Sequence, residues 1–188
     1  MHDLVALLET DSNAANALGA LASAAAAILA LFVSVVSVVI SLWALKVQRR
    51  HNVLSVRPLP EVTVADYEDS IRVKVRNNGA GPMIIRGVGV TDGNTLKDGL
   101  IDWMPPLLKG RPWNTFSHAL KQRTLLPGGE IGLLELTEHE GEHGFSTSRD
   151  RVRKALSILT VEVLYTDVYE SDYPKYSKPL NWFGRHEQ

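Results

Sequence analysis

The sequence predicts a transmembrane α-helix followed by a mainly-β antiparallel sandwich with one short helix. Three observations carry this expectation. Ser12 to Leu45 is a run of 34 residues without a charge. All 20 Lys and Arg residues come after it, beginning at Lys46. Beyond it, short stretches alternate apolar and polar residues between Gly, Pro and Asn turn signals. The 188 residues leave room for one domain besides a span. With no cysteine, a disulfide scaffold, a Cys zinc site and a thiol nucleophile are excluded.

Residues 1–12 carry Leu4, Leu7 and Leu8 among the acids Asp3, Glu9 and Asp11. They read as an extracytoplasmic segment, either a short amphipathic helix or a frayed end. Residues 13–46 read as the transmembrane helix. Its second half, Ile28 to Leu45, is ILALFVSVVSVVISLWAL, and a bilayer core needs about 20 such residues. A lone strand in lipid would leave its backbone unsatisfied, whereas a helix satisfies its own. The acidic start and the overlong apolar run argue against a cleaved signal peptide. Lys46 closes the span, and Arg49, Arg50 and Arg57 lie in the basic juxtamembrane linker, residues 47–58. The positive-inside rule places that side in the cytoplasm and the N-terminus outside. The same four residues are expected to touch anionic lipid heads.

Within the span the small residues Ala27, Ala30, Ser34, Ser37, Ser41 and Ala44 recur at alternating spacings of three and four. A mean period of about 3.5 residues is the seam of a left-handed helical bundle. Small residues allow close approach in lipid and serines can bond across. This stripe predicts a homo-oligomer assembled through the helix. The competing reading is that each serine bonds back to its own helix. No ionisable residue lies in the span, so a proton relay or pump has no support.

Residues 59–188 read as the β-domain. Strands are predicted at Val62–Ala65, Ile71–Arg76, Met83–Val90, Glu130–Thr137, Leu159–Val168 and around Tyr173–Leu180. A helix is predicted from a capping-box-like start at Thr147–Asp150, with Val152, Ala155, Leu156 and Leu159 as its apolar stripe. Asp98 to Thr124 reads as a long loop with a short helix near Phe116–Gln122.

Three motifs carry a resemblance: Arg49-Arg-His-Asn-Val-Leu-Ser-Val-Arg-Pro58, the turn Asn77-Asn-Gly-Ala-Gly-Pro82, and Tyr165-Thr-Asp-Val-Tyr169. They resemble a group of small bacterial single-span membrane proteins with a cytosolic immunoglobulin-like β-sandwich. Members often have Gly after the second Tyr, where this chain has Glu170. The resemblance implies an immunoglobulin-like sandwich and a bacterial inner-membrane location. More loosely, the layout is similar to membrane effectors of anti-phage signalling.

Candidate chemistry is sparse. His139-Glu-Gly-Glu-His143 matches the zinc-protease spacing, but Gly141 and Gly144 break the helix that chemistry needs. It reads as a solvated acidic loop, and neither a metal nor a cofactor is expected. Lys109, Arg111, Arg149, Arg151 and Arg153 form a candidate patch for a small anionic ligand. Against it stands a solvated helix face balanced by Glu138, Glu140, Glu142 and Asp150. Bulk nucleic acid is not an expected partner, since no recognition helix or basic arm appears. The function expected is a non-enzymatic membrane-anchored sensor/effector whose sandwich receives a signal and whose helix self-associates to perturb or permeabilise the membrane in a defence or stress response. The second expectation is an anchored scaffold or accessory subunit that docks a partner protein.

Overall fold

The computed structural model describes residues 2–108 and 111–186, with side-chain surroundings for 12–108 and 111–185. The chain divides into two units, Met1–Asn52 and Val53–Gln188.

Helix α1 runs unbroken over His2–Ser55, 54 residues. One glycine, Gly19, and no proline fall in that stretch, so nothing interrupts the hydrogen-bond ladder. At 1.5 Å per residue it is about 80 Å long, against a hydrocarbon core of about 30 Å. From Ser12 onward it is long and apolar enough to cross a membrane, and its most apolar 18 residues have a mean hydropathy of 2.7. Residues 12–52 are all exposed, so no protein surface covers the Leu, Ile and Val side chains. The N-terminal segment is thus no separate element: the helix includes residues 2–12. The linker expected at 47–58 is likewise helical to Ser55. Its Gln, Arg and Leu residues favour helix, and the helix stops only where Pro58 disfavours helix in the residue before it.

The second unit is an antiparallel β-sandwich. In chain order its strands are β1 (Pro60–Asp66), β2 (Ser70–Asn77), β3 (Met83–Thr91), β4 (Leu96–Lys97), β5 (Thr115–Phe116), β6 (Arg123–Leu125), β7 (Glu130–Thr137), β8 (Thr160–Thr166) and β9 (Tyr176–Pro179). Helix α2 (Phe145–Ser157) joins β7 to β8, and short 3-10 helices lie at Leu100–Trp103 and Asn181–His186. One sheet has the order β1-β2-β7-β5; the other has β4-β3-β8-β9, with β6 also on β3. Lettered in chain order without β6, these are A-B-E-D and C′-C-F-G, the arrangement of an immunoglobulin-like sandwich. Val62, Ile71, Val73, Val75, Leu134 and Leu136 are buried from the first sheet, and Met83, Ile85, Val88, Val90, Val161 and Val163 from the second. Their alternation with polar neighbours is what makes each strand bury one face.

Two bulges break the alternation. Val73 pairs with Leu134 but Lys74 with Gly132, so Leu133 is extra and both leucines are buried. Ile85 pairs with Tyr165 but Gly87 with Leu164, which leaves Arg86 as the extra, exposed residue.

Two local expectations are corrected. Helix α2 begins at Phe145, two residues early. Its cap is Gly144 at φ +88°, with no side-chain cap bond. The early start lets Phe145 join Val152 and Leu156 in the core. The stretch 117–122 is not helical. It leads from β5 in one sheet to β6 in the other within six residues, and Ala119 and Gln122 take φ of +55° and +64° to do so.

Candidate functional site

The three motifs behind the resemblance converge on one end of the sandwich. Asn77 is the first hub. Its side chain is fully buried, and all its amide valences are used. Oδ1 accepts from the backbone N–H of Leu59 at 3.2 Å and of Gly79 at 3.0 Å. Nδ2 donates to the carbonyls of Gly81 at 2.8 Å and Leu125 at 3.1 Å. Its own backbone bonds Gly128 and Gly129. One amide thus ties together the chain leaving α1, the β2–β3 turn and the β6–β7 turn. The glycines of the turn have a steric purpose. A Cβ on Gly79 would overlap the Arg57 carbonyl, and one on Gly81 the Val56 carbonyl. Residues 56–58 lie in a groove that only glycine leaves open.

Asp167 is the second hub, also fully buried. Oδ1 accepts from the N–H of Tyr169 at 2.8 Å and of Ser171 at 3.0 Å, and Oδ2 from the Tyr173 hydroxyl at 2.8 Å. Burial alone would push this carboxyl up; the bonds from Ser171 and Tyr173 outweigh it and hold the pKa below the ordinary range. Burial, with the Asp167 bond and charge, raises the Tyr173 phenol. The Tyr173 ring stacks on Tyr165 at 5.3 Å and 5°. The Arg57 guanidinium lies over that ring, 5.3 Å from its centroid. Arg57, expected to serve topology and lipid contact, therefore packs on the sandwich. Lys46, Arg49 and Arg50 are exposed on α1. Glu170, in the Gly position of the resemblance, has φ +57°, a conformation glycine adopts without strain.

The five-residue basic patch does not assemble. Lys109 lies outside the described residues. Arg111 donates to the Thr137 carbonyl at 2.6 Å, pairs with Glu142 and faces the Phe145 ring. Burial lowers its pKa, opposed by the charge of Glu138. Arg149 donates to the carbonyls of Tyr67 at 2.8 Å and Glu68 at 2.6 Å. Arg153 forks onto Asp66 with two bonds of 3.0 Å and reaches Asp150 at 2.8 Å. Arg185 adds a third bond to Asp66 at 2.9 Å. Burial would raise the Asp66 carboxyl, but the bonds and charges of Arg153 and Arg185 lower it on balance. The Asp66 bond in turn raises Arg153. Of the four described residues of the patch, only Arg151 is exposed. Three guanidinium groups that looked like a ligand patch are instead internal ties from α2 and the long loop to the β1–β2 and β7 ends.

His139 and His143 lie in a turn before α2, not on one helix face. Glu142 accepts from the His139 N–H at 3.1 Å as well as pairing with Arg111. Among the described residues no group of three or more His, Asp and Glu is placed to hold a metal ion.

On α1 the serine hydroxyls bond back along the helix. Ser34 donates to the Ala30 carbonyl, Ser37 to Val33 and Ser41 to Ser37, each at 2.8 Å. Ala27, Ala30, Ser34, Ser37, Ser41 and Ala44 fall within about 100° of arc at 100° per residue. The hydroxyl protons are satisfied locally, and the stripe remains a narrow shelf of small side chains.

Sequence reading missed the hubs. It took Asn77 as turn chemistry and Asp167 as part of a strand, and it assigned Tyr173, Asp66 and Arg185 no bonding role. A signal was available for Asn77 alone: an inward-facing strand position in β2 that carries an amide. No family model, curated protein or solved structure matches this chain, so its function is read from its own residues.

Proposed function

We propose that this is a single-span membrane protein of the bacterial inner membrane, with its N-terminus outside and its sandwich in the cytosol. It acts without catalysis as a sensor/effector. The sandwich receives a signal, and α1 assembles with other copies along the Ala30–Ser34–Ser37–Ser41 shelf to perturb the membrane. The observation that carries this reading is the clamp on residues 56–59. The chain leaving α1 is held by Asn77, Gly79, Gly81 and the Tyr173 ring. The same hubs fix the β2–β3, β6–β7 and β8–β9 loops. A ligand or partner that shifts those loops therefore acts on the residues that follow α1. Basic residues after the span and none before it support the orientation.

The test is the mass of the full-length protein in mild detergent beside a Ser34→Leu, Ser37→Leu double variant. The expected result is a defined oligomer that falls to monomer in the variant. Monomers in both would contradict self-association.

A second reading, an anchored scaffold, is favoured by one specific feature. On the outer face of the second sheet, Gly87 and Gly89 leave β3 bare between the exposed Leu96 and Leu164. Such a face suits a docked protein. A partner that co-purifies at fixed stoichiometry, and is lost on Leu164→Glu, would support it.

A further inference from the structure

Four large apolar side chains stand exposed at the end of the sandwich where the chain leaves α1. Leu59 is 50% exposed, Leu126 66%, Val168 54% and Tyr169 52%. They come from three separate segments, yet the pairing brings them together. Thr124 of β6 and Thr166 of β8 both pair with Ile84, from opposite sides of β3. Leu126 and Val168 each follow two residues later. Their strands are thus about 10 Å apart, two inter-strand spacings. Leu59 donates to Asn77, whose backbone bonds the Leu126–Gly129 turn. Tyr169 donates to Asp167, which holds the Tyr173 ring beneath Arg57.

Chain length says what faces this end. Thirteen residues, 46–58, separate Leu45, the last residue of the apolar run, from Leu59. Ten of them belong to α1 and span about 15 Å, and the remaining three add at most about 10 Å. An exposed apolar cluster with a tyrosine, held that close to a bilayer, has the chemistry of an interfacial anchor. The charged residues at this end include Arg57, Arg76, Glu61, Glu130, Glu170 and Asp172, two cations against four acids, so no basic patch draws it to anionic lipid.

We propose that this end of the sandwich docks on the bilayer surface, with Leu126, Val168 and Tyr169 in the headgroup layer. The contact is apolar more than electrostatic. This inference rests on the single-span reading above and deepens it.

The chain has no cysteine, so single-site labelling needs no background removal. Val36→Cys, Leu126→Cys, Tyr169→Cys and Leu96→Cys variants of the full-length protein carry an environment-sensitive fluorophore. Each is reconstituted in phosphatidylcholine vesicles, with and without 20% phosphatidylglycerol (an anionic lipid) and with nitroxide-bearing lipid as quencher. Leu96 is the control: it pairs with Thr91, at the other end of β3 from Met83. The expected result is at least twofold stronger quenching at positions 36, 126 and 169 than at 96, with little dependence on the anionic lipid. Quenching at 36 with positions 126 and 169 no better than 96 would overturn docking and leave the span intact. No quenching at 36 would overturn both.

Discussion

Asp167 shows what a single side chain does in this domain. Its carboxylate is fully buried and accepts three hydrogen bonds. Such bonds are worth more to the charged form than to the neutral one. A carboxyl whose folded pKa is depressed stabilises the fold above its unfolded value, about 4, and loses that contribution as pH falls through the lower folded value. Asp167→Asn is therefore expected to cost about 2 kcal/mol at pH 7. The gap between the variant's Tm and that of the wild type narrows below about pH 4. A gap independent of pH would show that the charge does not matter. None of this was visible in the sequence, because the partners, two backbone N–H groups and the Tyr173 hydroxyl, meet Asp167 only once the turn forms. The basic residues were misread for a related reason. Arg153 and Arg185 meet an aspartate 87 and 119 positions away, and composition alone does not pair them. Glu170 takes φ +57°, a left-handed backbone that its residue type does not announce.

At the level of elements, the period-2 strands were legible, since each buries one face. What the pattern could not show is where pairing overrides it. Leu133 and Arg86 are bulges, and 117–122 gives up helix because β5 and β6 belong to different sheets. The Asn77–Pro82 turn was legible as a turn, but its role as a clamp was not, because the clamped segment precedes it by some 20 residues. That role gives a prediction. Gly81→Ala sets a Cβ against the Val56 carbonyl and is expected to destabilise the sandwich by about 1–3 kcal/mol. At Gly87 a Cβ meets only an ordinary contact at 3.9 Å, so Gly87→Ala stays within about 0.5 kcal/mol. Urea midpoints of the two variants, followed by near-UV circular dichroism, compare them directly. Equal midpoints would remove the clamp.

For the molecule as a whole, two features were plain in the sequence: the uncharged run and the β-rich remainder. The A-B-E-D and C′-C-F-G order was not, since β2 pairs with β7 across more than 50 residues. The proposed function adds an orientation to the first of these features, with residue 12 outside and the sandwich in the cytosol. Site-directed labelling tests that most directly. Ser12→Cys and Leu96→Cys variants in spheroplasts are exposed to a membrane-impermeant maleimide, before and after permeabilisation. The account predicts that position 12 reacts in intact spheroplasts, whereas position 96 reacts only once the membrane is opened. Equal reactivity of the two positions before permeabilisation would contradict it.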